Sequence, residues 1–356
     1  MNTPTTALGA AFRAAAVPTQ TLPGGGDTPL RFDHSLSEHH ATRHRCGLFD
    51  FSFMGGWEIT GPEAAAHLTQ LQTRDIGALA PGQIAYTLMC RDDGTVFNDA
   101  TVWKFSDQHY WLFSGRKSDQ QWVGPDLASV DETHAMLALQ GPNSARVLAT
   151  LAGEEMVRQL GYFRFAATTL CGQACQTGRI GYSGELGYEL IVPARAAPLI
   201  WQSLLDAGRF YGIRPCGFEA ANLLRLESGY VLFSHELAQP RLPAELGLGR
   251  LVTSTSSDMR GHTALSALPR NERRTLVCVE LSEPGIKSAG PSPLALDLTS
   301  SAFSPLAGRH LGLGFTQVNN SAPRTRLICP DGREAAVCRL PYYDSHRLRP
   351  RALLLK

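Results

Sequence analysis

Three short stretches place charged groups where burial makes them costly. In residues 96–105, VFNDATVWKF, Asp99 interrupts an otherwise apolar strand. In GYSGELGYEL, Glu189 follows a glycine-rich turn into a second strand. In LLRLESGY, Arg225 and Glu227 stand at the end of a helix. A carboxylate inside an apolar strand costs several kcal/mol unless it is paired. Each of these groups therefore either meets a cation or is kept for binding and proton chemistry. For Arg225 the residues predict a structural role, paired with Glu227 or a neighbour, and for Glu185 a role in the turn.

Other constellations carry less. SEHHATRHRC offers His39, His40, His44 and Cys46 on a helical pattern. His40 and His44 are one turn apart and His39 points elsewhere, so surface histidines are expected and no metal site. Gly181-Tyr182-Ser183-Gly184 lacks the G-x-S-x-G spacing of a nucleophile elbow. Cys171 and Cys175 are spaced too widely for a CxxC pair, and the 8 cysteines are scattered as reduced thiols would be. Gly24-Gly25-Gly26 has no lysine and no strand-to-helix setting, which excludes a phosphate loop.

The elements that must hold these residues follow from periodicity. WEITGPEAAAHLTQL and LALQGPNSARVLATL each read as strand, Gly-Pro turn and helix. Asp93-Gly94 marks a hairpin whose second strand carries Asp99. GRIGYSGELGYELIVP is a glycine-punctuated strand pair, and helices follow over AAPLIWQSLLDAGRFYG and FEAANLLRLESGY. The repeated strand–turn–helix pattern predicts two related α+β layers. From Arg274 onward only short strands remain, which predicts a small all-β module. The expected organisation is a loose arm over residues 1–34, an α+β region over 35–270 and a β-barrel domain over 271–356.

The 356 residues carry 33 basic and 32 acidic side chains, a net charge of +1. That balance lacks the field of a nucleic-acid binder. No run approaches the roughly 18 apolar residues of a spanning helix. The first residues lack the basic and apolar regions of a secretory signal. A cytoplasmic chain with no nucleic-acid or membrane partner is expected.

Five segments, in order, resemble the aminomethyltransferase (glycine-cleavage T-protein) family, which includes folate-dependent demethylases. They are LFDFSFMGGWEITGPEAAAHLTQLQTRDI, YTLMCRDDGTVFNDATVWKF, LALQGPNSARVL, GRIGYSGELGYELIVP and LLRLESGYVLFSHEL. The resemblance covers about residues 35–350. It implies an α+β fold shaped as a three-lobed cloverleaf, with two interleaved α+β lobes, a C-terminal all-β barrel and a central hole for tetrahydrofolate. It makes Asp99 the catalytic carboxylate and Glu189 the group that accepts the pterin's paired N–H donors. Tyr182, Met54 and Trp111 line the folate site, and no metal is implied.

Departures from the family pattern fall on the substrate side. Asn98 stands where the glycine-cleavage branch has the first aspartate of an Asp-Asp pair, Ala221 where it has an arginine, and Gly115 where it has an asparagine. Arg250 replaces a tryptophan, and Asp258-Met259-Arg260-Gly261 replaces a segment with a lysine. These changes favour a tetrahydrofolate-dependent methyltransferase, a demethylase moving a methyl group from a small N-, O- or S-methylated donor to N5. The glycine-cleavage T-protein itself, which would bind a lipoyl-carrying protein partner, is the alternative. A non-catalytic iron–sulfur assembly paralogue is a third reading, and the cysteine of its motif is missing from residues 178–185.

Overall fold

The computed structural model describes residues 6–267, 274–283 and 294–353. The boundary expected near residue 270 lies outside the described residues. A five-stranded sheet runs Ile84–Cys90, Val96–Ser106, His109–Ser114, Gly55–Thr60, Ala128–Ser129. A six-stranded sheet runs Phe165–Leu170, Gln173–Gly178, Gly187–Pro193, His134–Gln140, Cys46–Asp50, Ile213–Pro215. The chain enters the six-stranded sheet at Cys46–Asp50, leaves to build the whole five-stranded one, and returns at His134–Gln140. The two lobes are therefore interleaved, as the family resemblance implies.

Both Gly-Pro turns lead from a strand into a helix, Ala64–Leu71 and Ser144–Ala152. Gly141 has a φ of 122°, and a Cβ there would meet the carbonyl oxygens of Thr42 and Arg45 at 2.6 and 2.7 Å. Only glycine lets the chain turn that close to the neighbouring helix end. The C-terminal lobe is a third sheet, ordered Leu294–Ala295, Arg326–Ile328, Glu334–Cys338, Arg274–Leu281, Arg309–Gln317, Asp297–Ser304. Its end strands are not paired to each other among the described residues, so it is a curled half-barrel rather than a closed one. The architecture is α+β with a C-terminal all-β lobe.

Each α+β sheet buries its outer face under its own helices. Leu68 packs on Trp57, Ile59 and Leu112 in one lobe. Leu148, Ile200 and Leu204 pack on Leu137 and Leu139 in the other. The inner faces meet in an aromatic core that includes Phe49, Trp103, Phe113, Phe165 and Phe218. Leu88 and Val96, at the end of the hairpin, pack instead with Leu226, Leu276 and Phe315 on the barrel side.

The arm expected to be loose is built in. Helix Gly9–Ala14 and the strand pair Thr19–Thr21 and Asp27–Pro29 occupy it, and Leu8 and Phe12 are buried against Trp201 and its neighbours. Its glycines and prolines shape turns, while two apolar side chains anchor the segment. Among the described residues no helix is long and apolar enough to cross a membrane.

Candidate functional site

Asp99 reaches the inner face through an irregular hairpin. Cys90 pairs with Val96, but Met89 pairs with Asn98, so Phe97 is an extra residue in the second strand. This bulge shifts the register by one and sets Leu88, not Thr87, opposite Asp99. Tyr86 then lies diagonal to Asp99, and its hydroxyl donates to Asp99 Oδ2 at 2.9 Å. Asp99 is half-buried. Burial pushes its carboxyl up to about 6, against the opposing pull of the Tyr86 hydroxyl.

Thr101 and Trp103 follow Asp99 on the same face by strand alternation. Thr101 Oγ1 and Trp103 Nε1 are both buried and have no hydrogen-bond partner among the described residues. Buried polar atoms are normally satisfied, so these two, two and four residues along the strand from Asp99, stand out on this face.

Glu189 stands on the opposing wall. Its register neighbours are Gly178 on one side and Ala138 on the other. Both flanking residues are small, and on the Gly178 side the Trp103 indole fills the room that a side chain would take. A Cβ on Gly178 would run into the Trp103 indole, so this row abuts the Asp99–Trp103 row of the other sheet. Glu189 is only 8% exposed and no cation among the described residues balances it: burial alone pushes its carboxyl up to about 7.

Tyr182 closes the end nearest the barrel side. Its hydroxyl donates to the Val231 carbonyl at 2.5 Å, and its ring stacks on Tyr230 at 5.8 Å. Burial raises its pKa, and Asp99 contributes to the same upward push, which places the two in one electrostatic neighbourhood. Met54 lines a small recess with Phe113, Met136 and Ile191, the last being two residues beyond Glu189 on the same face. Trp111 pairs across from Trp103, but its indole N–H donates to Glu58 Oε1 at 3.2 Å, toward the surface. Asp99 and Glu189 thus lie on the facing inner sides of the two sheets, with Tyr182 in the electrostatic neighbourhood of Asp99, while Met54 and Trp111 belong to the aromatic core around them.

The remaining charged candidates are structural, with partners different from those expected. Arg225 does not pair with Glu227. Its Nη1 meets Glu236 Oε2 at 2.7 Å, and its Nη2 donates to Ser300 Oγ at 2.8 Å, joining the helix to the half-barrel. Glu227 instead holds His39 and Arg43, each at 2.8 Å, and accepts from Ser304. Burial would raise the Glu227 pKa, but His39 and Arg43 hold it below the usual range. His39 is therefore buried, unlike exposed His40 and His44, because its helix face packs on the helix Phe218–Glu227. Glu185 pairs with Arg43 at 3.1 Å, which also donates to the Ser183 carbonyl and so fixes the turn beside Tyr182.

Sequence reasoning missed Tyr86, Tyr230, Thr101 and Trp103. The hairpin signal could have placed Tyr86 near Asp99, had the bulge been visible.

Comparison with known proteins assigns the chain and its fold to a family. The model described as "GCVT N-terminal domain" matches residues 7–256. The aminomethyltransferase of Symbiobacterium thermophilum is 33% identical over 351 residues, covering 91% of this chain and 93% of the relative. That of Streptomyces coelicolor is 33% identical over 366 residues, covering 96% and 98%. The chain belongs to the aminomethyltransferase family. It is a transferase of that kind, and its fold agrees. The glycine cleavage system aminomethyltransferase T of Bartonella henselae superposes with a TM-score of 0.80, at 22% identity, over 97% of this chain and 99% of the other.

Gly115, one of the departures, now has a physical reason. A Cβ there would lie 2.5 Å from Phe233 Cδ1, so the aromatic ring occupies the space that an asparagine would need. Ala221 is buried in the same aromatic core.

Proposed function

We propose that this protein is a tetrahydrofolate-dependent aminomethyltransferase that moves the one-carbon unit of an aminomethyl group, carried on the lipoyl arm of a partner protein, to tetrahydrofolate. The observation that carries the reading is Glu189, a buried carboxylate with no cation among the described residues, set between Gly178 and Ala138 and across from the Asp99 row. The relatives named above are aminomethyltransferases, which supports this reading over the demethylase one.

The residues fit the cofactor. A reduced pterin presents an amino group and a ring N–H side by side, and one carboxylate can accept both with charge-assisted strength. Glu189 would hold that edge, and the unpartnered Thr101 hydroxyl and Trp103 N–H would meet polar atoms further along. When bound, tetrahydrofolate supplies the nucleophilic nitrogens that take up the carbon.

Asp99 does the rest of the electrostatic work. Anchored by Tyr86 and with a carboxyl near 6, it is mostly ionised at neutral pH yet able to take a proton. Its charge stabilises positive charge that develops on the reacting nitrogens. The aromatic walls exclude water, and Tyr182, fixed to Val231, holds the mouth in one shape.

The test is ammonia release from an aminomethyl-loaded lipoyl protein. Release that requires tetrahydrofolate and is lost in Asp99→Asn supports the proposal. Tetrahydrofolate-dependent loss of methyl groups from small methylated amines, ethers or thioethers, with no ammonia from the loaded carrier, would restore the demethylase reading instead.

A further inference from the structure

Behind Asp99, on the opposite face of its strand, lies a second carboxylate that faces away from the cleft. Asp119 is 1% exposed. Its Oδ2 accepts from Asn98 Nδ2 at 2.6 Å and from Ser114 Oγ at 2.8 Å. Its Oδ1 forms an ion pair with Arg116 Nε at 2.9 Å. Asn98, fully buried, turns its own Oδ1 to accept the backbone N–H of Asp99 at 3.0 Å. Arg116 Nη2 donates to the carbonyl of Phe97, the bulged residue, at 3.3 Å, and its guanidinium lies over the Phe97 ring. A chain of contacts thus runs from Asp119 through Asn98 and Arg116 to the bulge that aims Asp99.

We propose that Asp119 is a positioning residue for Asp99, acting through the Asn98 amide and the bulge at Phe97 to fix both the direction and the charge state of the reacting carboxylate. The inference rests on the reading of Asp99 as the carboxylate at the reaction centre. It also accounts for Asn98, where the family resemblance leads one to expect aspartate. A carboxylate at position 98 would face Asp119 across 2.6 Å with no proton donor between them. An amide there both donates to Asp119 and accepts from the Asp99 N–H, which neither a carboxylate nor an aliphatic side chain can do.

The groups that set Asp99's charge come from three directions. Tyr86 donates to it from the neighbouring strand, and Tyr182 faces it from the other sheet's loop. Tyr230 lies beyond Tyr86 and Tyr182. Asp119 raises its pKa from behind, while Arg116 lowers it. Asp119→Asn removes one negative charge from this set and leaves the cleft-facing groups in place.

The deciding measurement is the carboxyl titration of Asp99 by carbon NMR on the ligand-free protein. Wild type, Asp119→Asn and Asn98→Asp are compared. The first variant should lower the Asp99 midpoint by about 0.5–1 pH unit, and the second should raise it. The acid limb of kcat/KM should move by the same amounts and in the same directions. Asn98→Ala, which cuts the link but keeps the Asp119 charge, should lower kcat at least about tenfold with tetrahydrofolate affinity unchanged. If Asp119→Asn does not fold, the two Asn98 variants carry the test. Midpoints that stay at the wild-type value in the folded variants, with activity falling only in step with the folded fraction, would overturn the proposal. Midpoints that move while the activity limb stays put would leave the positioning intact and sink the role given to Asp99.

Discussion

Glu189→Gln separates the two consequences of burying a carboxylate without a partner. Burial lifts Glu189 from 4.5 to about 7. At about 1.36 kcal/mol per pH unit, holding the ionised group in the folded chain costs about 3 kcal/mol at pH 8. Glutamine has nearly the same shape and no charge to desolvate, so the variant should be more stable there. Below pH 4.5 both the folded and the unfolded chain carry the proton, and this advantage vanishes. Between 4.5 and about 7 the unfolded chain ionises first, and the advantage grows with pH. Above 7 both states are ionised and it levels off. Urea midpoints measured at pH 5, 6, 7 and 8, with the slope unchanged, read this directly.

Binding should move the other way. Losing a charged acceptor for the pterin edge removes about 1.5–3 kcal/mol, a roughly 10- to 150-fold weaker tetrahydrofolate complex by calorimetry. A residue that weakens the fold while strengthening binding is the signature of a site kept for function. A variant that is less stable than wild type at pH 8 would mean that Glu189 has a structural partner. A stability gain with no pH dependence, or tetrahydrofolate binding that survives, would refute the reasoning as well.

Tetrahydrofolate affinity of the wild type should fall about tenfold per pH unit as pH drops below 7, because binding needs Glu189 ionised; calorimetry across pH 5–8 checks it. Tyr86→Phe removes the hydrogen bond that favours ionised Asp99, so the acid limb of kcat/KM should move above pH 6 by up to about one unit. Gly115→Asn drives a side chain into Phe233 and should cost about 1–3 kcal/mol in urea denaturation. Arg225→Ala strands the buried Glu236 carboxylate and should destabilise the chain by about 3–5 kcal/mol, with the loss read as a lower thermal midpoint.

Local signals carried most of the scaffold. The two Gly-Pro turns, the Asp93-Gly94 hairpin and the short C-terminal strands each follow from residues within a few positions of one another. The candidate site was legible at Asp99 and Glu189, because a carboxylate in an apolar strand stands out wherever the strand ends up. Their surroundings were not, and the bulge at Phe97 shows why. Without it, the pairing of Cys90 with Val96 continues to place Thr87 opposite Asp99, and Tyr86 falls on the wrong face. One extra residue reverses which side chains meet, and nothing in VFNDATVWKF announces it. The network of Phe97, Asn98 and Asp119 that holds the bulge draws on a third segment, residues 114–119.

The mispairing of Arg225 has a simpler origin. Residues two apart on a helix do not face each other. Arg225 and Glu227 could not have been partners on the helix Phe218–Glu227, and that much the spacing already says. Which partners they do find is decided elsewhere. Arg225 meets Glu236 and Ser300, whereas Glu227 meets His39, Arg43 and Ser304. Ser300 and Ser304 lie on one strand of the half-barrel, Asp297–Ser304, so the end of a single helix is tied to that strand at two points. Arg225 also donates to the Tyr230 carbonyl, next to the Val231 carbonyl that holds Tyr182, and Arg43, the partner of Glu227, donates to the Ser183 carbonyl. The helix end, the Tyr182 loop and the half-barrel are consequently locked as one unit. Loosening Arg225 should therefore weaken tetrahydrofolate binding before the chain unfolds, although Arg225 touches neither Glu189 nor Asp99 through any hydrogen bond.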